Sequence, residues 1–310
     1  MINNNNTTWP VLSYEKGKAT YQTLQLWAQI LGKIKIETLP WVNHSWSVTL
    51  HITPTGLTTQ TIPFGDQHFQ IDLDLIDHQL RITTSKGATS QFSLKHISVA
   101  DFYALIFDQL SEMGIDITIK TMPSEVFGDI IPLDEDHQHA SYDEIEAANF
   151  HQALLRIQDV FLVYRSSFTG KSSPIHFFWG TFDLALAFFS GRKAPTHPGK
   201  LPHLPNKVFQ DAFSHEVNDC GFWTGSEGFP EAAFYCYLYP EPEGYKTAKV
   251  SPEEAFYSAE MGGFLLPYAA VQKAADPGAK LLEFLKSTYS IGSGLAKWDP
   301  ELWNEDLLSI

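Results

Sequence analysis

The chain of 310 residues carries 21 Lys and Arg against 36 Asp and Glu, a formal charge of −15, with 44% hydrophobic and 14% aromatic residues. The hydrophobic share excludes wholesale disorder, and so acidic a chain with no basic stripe is a poor match for nucleic acid or for anionic lipid head groups. Either one large domain or two smaller ones fits this length, and the aromatic count points to a large aromatic core.

The start, Met1-Ile2 followed by Asn3 to Asn6, lacks the basic and apolar segments of a secretory signal. The longest apolar run, Ile175 to Phe189, contains His176 and Asp183 and is too short for a bilayer. A cytoplasmic protein with no membrane partner is expected. Two cysteines, Cys220 and Cys236, cannot build a disulfide scaffold, and reduced thiols are the expectation.

Residues 1–13 read as a tail ending in Trp9-Pro10. Leu24, Trp27, Ala28 and Leu31 predict a helix from Thr20 to Leu31, with Gly32 as its stop and Lys33 as a cation at its C-terminus. Trp46, Val48, Leu50 and Ile52 alternate with polar residues and predict a strand. Phe69, Ile71, Leu73 and Leu75, alternating with Gln70, Asp72 and Asp74, give the cleanest half-buried strand. Two more strands are expected around Leu80–Ile82 and Phe92–Leu94. Ser98 with Asp101 predicts a capped helix to Met113, stopped by Gly114, and Ile115 to Ile119 a short strand. Residues 121–144 read as a linker.

The second half is expected to start with a helix from about Tyr142 to Phe168, stopped by Gly170-Lys171, then an aromatic strand at Pro174 to Trp179. Residues 182–189 fit either a strand or a helix. A Pro-rich loop at 194–206 precedes strands at 212–218, 231–239 and 263–266, and Pro277 opens a helix to Tyr289. The expected fold class is α+β: two related halves, 14–120 and 145–310, with mainly antiparallel sheets flanked by helices. Their shared order of elements raises an internal duplication; convergence of two simple units is the alternative.

Val42-Asn43-His44-Ser45-Trp46, Gly56-Leu57-Thr58-Thr59, Asp134-Glu135-Asp136 through His139-Ala140-Ser141-Tyr142-Asp143, Pro174 to Gly180 with Phe182-Asp183-Leu184, Ser214-His215-Glu216-Val217 and Tyr239-Pro240-Glu241-Pro242 occur together in this order. In that combination the chain resembles a bacterial family of unknown function, from about Trp9 to Tyr289. The resemblance implies no activity, substrate or cofactor, and no residue role is carried over.

Four groups of residues could carry chemistry. Asp134, Asp136, His137 and His139, with Asp143 beyond, place carboxylate and imidazole ligands close enough for zinc, iron or manganese, although acidic residues before a helix also serve as caps. Asp183 within its apolar run must be paired, hydrogen-bonded or protonated, with His176 or Lys171 as partner, unless it is an early-turn helix carboxylate. His215 and Glu216 face opposite ways in a strand, so His215 would meet His176 or Asp183 from a neighbouring strand. Tyr235, Tyr237 and Tyr239 share one strand face, with Trp223 and Phe222 before them, and could form a stacking platform or a packed face. Together these favour a small-molecule ligand in an aromatic-lined cleft, with His176, Trp179, Asp183, His215, Glu216, Trp223, Tyr235 and Tyr237 as candidate contacts. The alternatives are a hydrolase using the linker His/Asp cluster, and a non-catalytic protein that buries the aromatic face in a homodimer.

Overall fold

The computed structural model describes residues 8–126, 130–199 and 204–304; residues 1–7 of the expected tail and 200–203 of the Pro-rich loop lie outside the described residues. Helix α1 spans Tyr14–Thr38 and is opened by Ser13, whose hydroxyl accepts from the Lys16 N–H. It runs straight through Gly32, the expected stop. A Cβ at Gly32 would stand 2.0 Å from Nε1 of Trp179, so the missing side chain lets that indole lie on the helix. Lys33 is therefore interior to the helix and buried, with its ammonium 3.3 Å from Ser124 Oγ. Burial, and then the charge of Lys120, pull its pKa down to about 8.

The strand expected at Trp46 is instead a 3₁₀ segment, Asn43–Val48, broken by positive φ at His44 and Ser45. Its bend is held from the other half of the chain: the His44 N–H donates to Asp211 Oδ2 at 2.8 Å, and Phe178 and Phe189 pack against the His44 ring. Pairing begins only at β1 (His51–Ile52). β2 (Gly56–Thr58), β3 (Ile62–Phe64), β4 (Gln67–Asp74), β5 (Gln79–Thr84) and β6 (Thr89–Ser93) complete an antiparallel sheet ordered β1-β2-β4-β5-β6, with β3 also on β4. α2 (Val99–Glu112) carries the expected capping box of Ser98 and Asp101. Ile115 to Ile119 joins no strand ladder.

α3 (Glu144–Ser166) starts at Asp143, whose carboxylate accepts from the Ile145 and Glu146 N–H groups. After it come β7 (Lys171–Ser172), β8 (His176–Phe178), β9 (Asp183–Lys193), α4 (Asn206–Ala212), β10 (His215–Trp223), β11 (Ala233–Tyr239), β12 (Phe256–Ser258) and β13 (Gly263–Pro267). The second antiparallel sheet has the order β12-β13-β11-β10-β9-β7, with β8 also on β9. α5 (Tyr268–Gln272) and α6 (Pro277–Leu295) close the fold, α6 with Asp276 as its cap and Pro277 in its first turn. The span 212–218, expected as one strand, is the end of α4 followed by the start of a longer strand. The chain is α+β, as its patterning predicts.

The two sheets bury themselves differently. In the first, Phe69, Ile71, Leu73, Leu80 and Ile82 face the core while Gln70, Asp72, Arg81 and Thr83 face outward, so one face is apolar and the other solvated. In the second, Leu186, Phe188, Cys220, Phe222, Phe234, Cys236 and Phe264 face the helices, where Phe188 stacks on Phe168 at 4.2 Å and packs on Tyr164 at 5.0 Å. Its other face is described below.

The two sheets meet where Leu50 and Phe177 exchange backbone hydrogen bonds of 2.9 and 2.8 Å, and one apolar core runs through both halves. Trp9, read as the end of a tail, is buried against Phe234 and Tyr268. Among the described residues no helix is long and apolar enough to cross a membrane.

Candidate functional site

Register decides what stands on the second face of the C-terminal sheet. Asp183 lies opposite Trp223, Ala185 opposite Gly221 and Ala187 opposite Asp219; across the next ladder Gly221 meets Tyr235 and Asp219 meets Tyr237. Side chains of directly paired residues share a face. Asp183, Ala185, Ala187, Asp219, Gly221, Trp223, Tyr235 and Tyr237 therefore share one surface. His176, opposite Ala185, joins them from β8. The face combines carboxyls and aromatic rings over a floor of small residues.

Gly221 makes the central contact. A Cβ there would lie 2.3 Å from the Tyr235 hydroxyl and 2.4 Å from the Leu184 carbonyl, so the tyrosine ring crosses β10 in the space glycine leaves. That reach brings the Tyr235 hydroxyl to Asp183 Oδ2, to which it donates at 2.5 Å. Thr181 donates to the other oxygen of Asp183. The Tyr237 ring lies 6.1 Å from that of Tyr235 and nearly parallel to it, and its phenol stands close enough to the Asp219 carboxyl to feel its charge. One oxygen of Asp219, Oδ1, is buried with no hydrogen-bond partner, and the residue is only 5% exposed.

A third carboxyl arrives from the linker. Gln29 on α1 clamps Ser124, accepting from its N–H and donating to its carbonyl, both at 2.8 Å. Glu125 follows with φ near +60° and lays its carboxylate against Gly180, whose carbonyl accepts from Gln25 at 2.6 Å. A side chain at Gly180 would occupy the same space: its Cβ would be 2.2 Å from Glu125 Oε1.

No Lys, Arg or His forms an ion pair with Glu125, Asp183 or Asp219 among the described residues. Burial raises the Asp183 pKa against the pull of its hydrogen bonds from Thr181 and Tyr235. Burial, and then the charge of Asp183, push Asp219 well above the usual carboxylate range, and the same two causes bring Glu125 to about 7. Burial also raises both tyrosine phenols far above their ordinary value, so at neutral pH they remain donors.

His176 completes the face. Its Nδ1 lies 2.7 Å from the Pro174 carbonyl, which can only accept, so the proton sits on Nδ1 and Nε2 is an acceptor. Nε2 has no partner, and the residue is 1% exposed. Burial lowers the His176 pKa to about 3 despite that bond. His44 and His51, which stand near His176, are brought to about 4, chiefly by burial.

Of the residues singled out in the sequence, the structure gathers His176, Asp183, Trp223, Tyr235 and Tyr237 on this face. It separates the others. Trp179 is spent on helix packing and on the Val48 carbonyl, to which its indole N–H donates at 2.9 Å. His215 is exposed at the far end of β10, eight residues and roughly 26 Å from the Asp183 level. Glu216 accepts from Arg192 at 2.6 Å and from Ser190 at 2.9 Å, and borders a separate cavity of about 120 Å³ with Tyr239 and Trp298.

The linker cluster lies elsewhere again. Asp136 accepts from the Gln138 and His139 N–H groups at 3.0 Å and pairs with His139 Nδ1 at 2.7 Å, while His137 touches the helix cap Ser98 at 3.2 Å. Asp134 sits in the preceding turn. Among the described residues no group of three His, Cys, Asp or Glu is disposed to hold a metal ion.

Two residues escaped the sequence reading. Asp219 alternates with Val217 and Gly221, but ending the strand at 218 left it out. Glu125 has no local signal, because only the Gln29 clamp brings it to the sheet.

Fold and face together define an α+β protein of two joined antiparallel sheets, one carrying a buried array of carboxyls and aromatic rings. The chain belongs to a family of unknown function, DUF5996, which matches residues 9–305. No curated protein and no solved structure matches it.

Proposed function

We propose that the protein binds a small polar molecule on the face formed by Asp183, Asp219, Trp223, Tyr235 and Tyr237, with Glu125 and His176 at its edges. The observation that carries this reading is the buried carboxyl pair, Asp183 held by the Tyr235 hydroxyl and Asp219 left with an unpartnered oxygen, beside partly exposed rings. The N-terminal sheet differs: its strands are apolar inward and polar outward, and its buried Asp74 is satisfied by two turn N–H groups. The half-exposed rings of Trp223, Tyr235 and Tyr237 supply stacking area, and the carboxyls supply orientation.

The linker reading has less to rest on, since its carboxylate and imidazoles already hold backbone N–H groups and a helix cap. A homodimer through the tyrosine face competes with the chain itself, whose Phe213 already packs on Tyr237 and Tyr239. The acidic surface and two unpaired cysteines fit a bacterial cytoplasm. Duplication rests on the order long helix, antiparallel meander, closing helix, which both halves follow.

The test is a thermal-shift and tryptophan-fluorescence screen against amines, polyols, sugars and nucleosides, repeated on Asp183→Asn and Tyr237→Ala. A ligand response in the wild type that both variants lose supports the reading. Variants that change stability alone, with no response from any class, overturn it.

A further inference from the structure

The hydrogen-bond inventory of this face is one-sided. The donors around Asp183 and His176 are used: the Thr181 and Tyr235 hydroxyls on Asp183, and the His176 Nδ1–H on the Pro174 carbonyl. Acceptors are left over. Asp219 Oδ1 and His176 Nε2 are both buried and both without a partner. They sit on strands either side of β9, which at their level presents only Ala185 and Ala187. A buried polar atom left unpaired is costly, and two of the same sense on one face call for a common cause.

We infer that the group recognised on this face is a protonated amine, carried by a molecule with an apolar or aromatic portion that lies along Trp223, Tyr235 and Tyr237. The inference rests on the binding reading above and narrows it. An ammonium offers three donors and no acceptor, the complement of what the face lacks. Its charge can replace the protons held among Glu125, Asp183 and Asp219, which have no cationic partner among the described residues, and the tyrosine and tryptophan rings favour a cation near their faces. A carboxylate or phosphate ligand would meet three carboxyls and no cation. A neutral hydroxyl supplies one donor and cannot take the place of the protons held among these carboxyls.

The experiment pairs phenethylamine with 2-phenylethanol, and choline with 3,3-dimethyl-1-butanol, each a cation beside a neutral isostere. Binding to the full-length protein is followed by calorimetry at several pH values and in buffers of different ionisation enthalpy. Phenethylamine, the N–H donor, is expected to bind at least about tenfold tighter than 2-phenylethanol, as expected for a charged hydrogen bond. Its affinity should rise with pH, with release of protons, because the ammonium replaces protons held among Glu125, Asp183 and Asp219. His44, His51 and His176, facing the same region, stay neutral over that range. Choline separates charge from donation: it should bind more weakly than phenethylamine.

Asp219→Asn should abolish the preference for phenethylamine while leaving the free protein as stable as the wild type or more so. That sign sets a recognition carboxyl apart from a structural one, whose loss destabilises. Equal binding of amine and alcohol, both weakened by Tyr237→Ala, overturns the amine inference and keeps the binding reading. If neither probe pair nor any other class in the screen produces a response, both fall.

Discussion

The two sheets of this molecule have comparable strands and opposite economies. The N-terminal sheet places apolar side chains on one face and polar ones outward, and its buried carboxylate, Asp74, is used locally, accepting from the Ile76 and Asp77 N–H groups of the following turn. The C-terminal sheet has an apolar face as complete, yet its other face buries Asp183 and Asp219 among Ala185, Ala187 and Gly221. The first arrangement is what stability alone selects. The second carries desolvated carboxyls that an apolar substitution would remove. The contrast teaches where to look for function: the polar group that costs most to bury is the one least explained by folding.

The comparison can be broken at several points. The largest effect belongs to the apolar face of the N-terminal sheet: Phe69→Ala, fully enclosed there, should cost about 3–5 kcal/mol in urea unfolding. A much smaller loss would mean that this sheet is not the scaffold its pattern describes. Next comes Gly221→Ala, where the new methyl meets the Leu184 carbonyl, which cannot move aside, and the Tyr235 hydroxyl. About 1–3 kcal/mol of destabilisation is expected, together with loss of any ligand response through displacement of Tyr235. Retention of both stability and response would show that the ring does not need the space.

The pH dependence of the two charged sets has opposite signs. Glu125 at about 7 lies above its ordinary 4.5, so the folded chain keeps a proton the unfolded chain has lost. Its contribution is present at low pH and is lost as pH rises from 4.5 through 7, by on the order of 1–3 kcal/mol. Glu125→Gln should remove that part of the profile, and an unchanged profile would place Glu125 in water. His44, His51 and His176 lie below their ordinary 6.5, so the unfolded chain takes up protons first. Their contribution is full above pH 6.5 and is lost as pH falls towards 4 and 3. The smallest effect belongs to the solvated face: Thr83→Ala should change stability by no more than about 0.5 kcal/mol. A loss of several times that would mean this face packs against something in solution.

Much of the architecture was legible because it is written locally. Period-two alternation found β4, β5 and the tyrosine face of β11. Ser98 with Asp101, and Pro277 in the first turn after the Asp276 cap, marked helix starts through contacts three residues long or less. The errors all have long-range causes. Gly32 has the look of a helix stop, but it is a seat for Trp179, 147 positions away. The alternation at Trp46 gave way to a 3₁₀ bend because Asp211 holds His44. Among the site residues, Asp183, Trp223, Tyr235 and Tyr237 announced themselves as polar or aromatic groups in a strand pattern. His215 and Glu216 did so equally well, yet four residues of strand separate His215 from Asp219 and eight from the level of Asp183.

The sequence by itself determined the α+β class, the apolar stripe of each main strand and the residue types available for chemistry, because periodicity and capping depend on neighbours along the chain. Only the tertiary structure decided which polar residues meet. The meeting of Asp183 with Tyr235 depends on register across three strands and on the empty space at Gly221; that of Glu125 with Gly180 depends on a glutamine of the first helix. Such choices are settled by packing between segments far apart in the chain, where no local preference reaches.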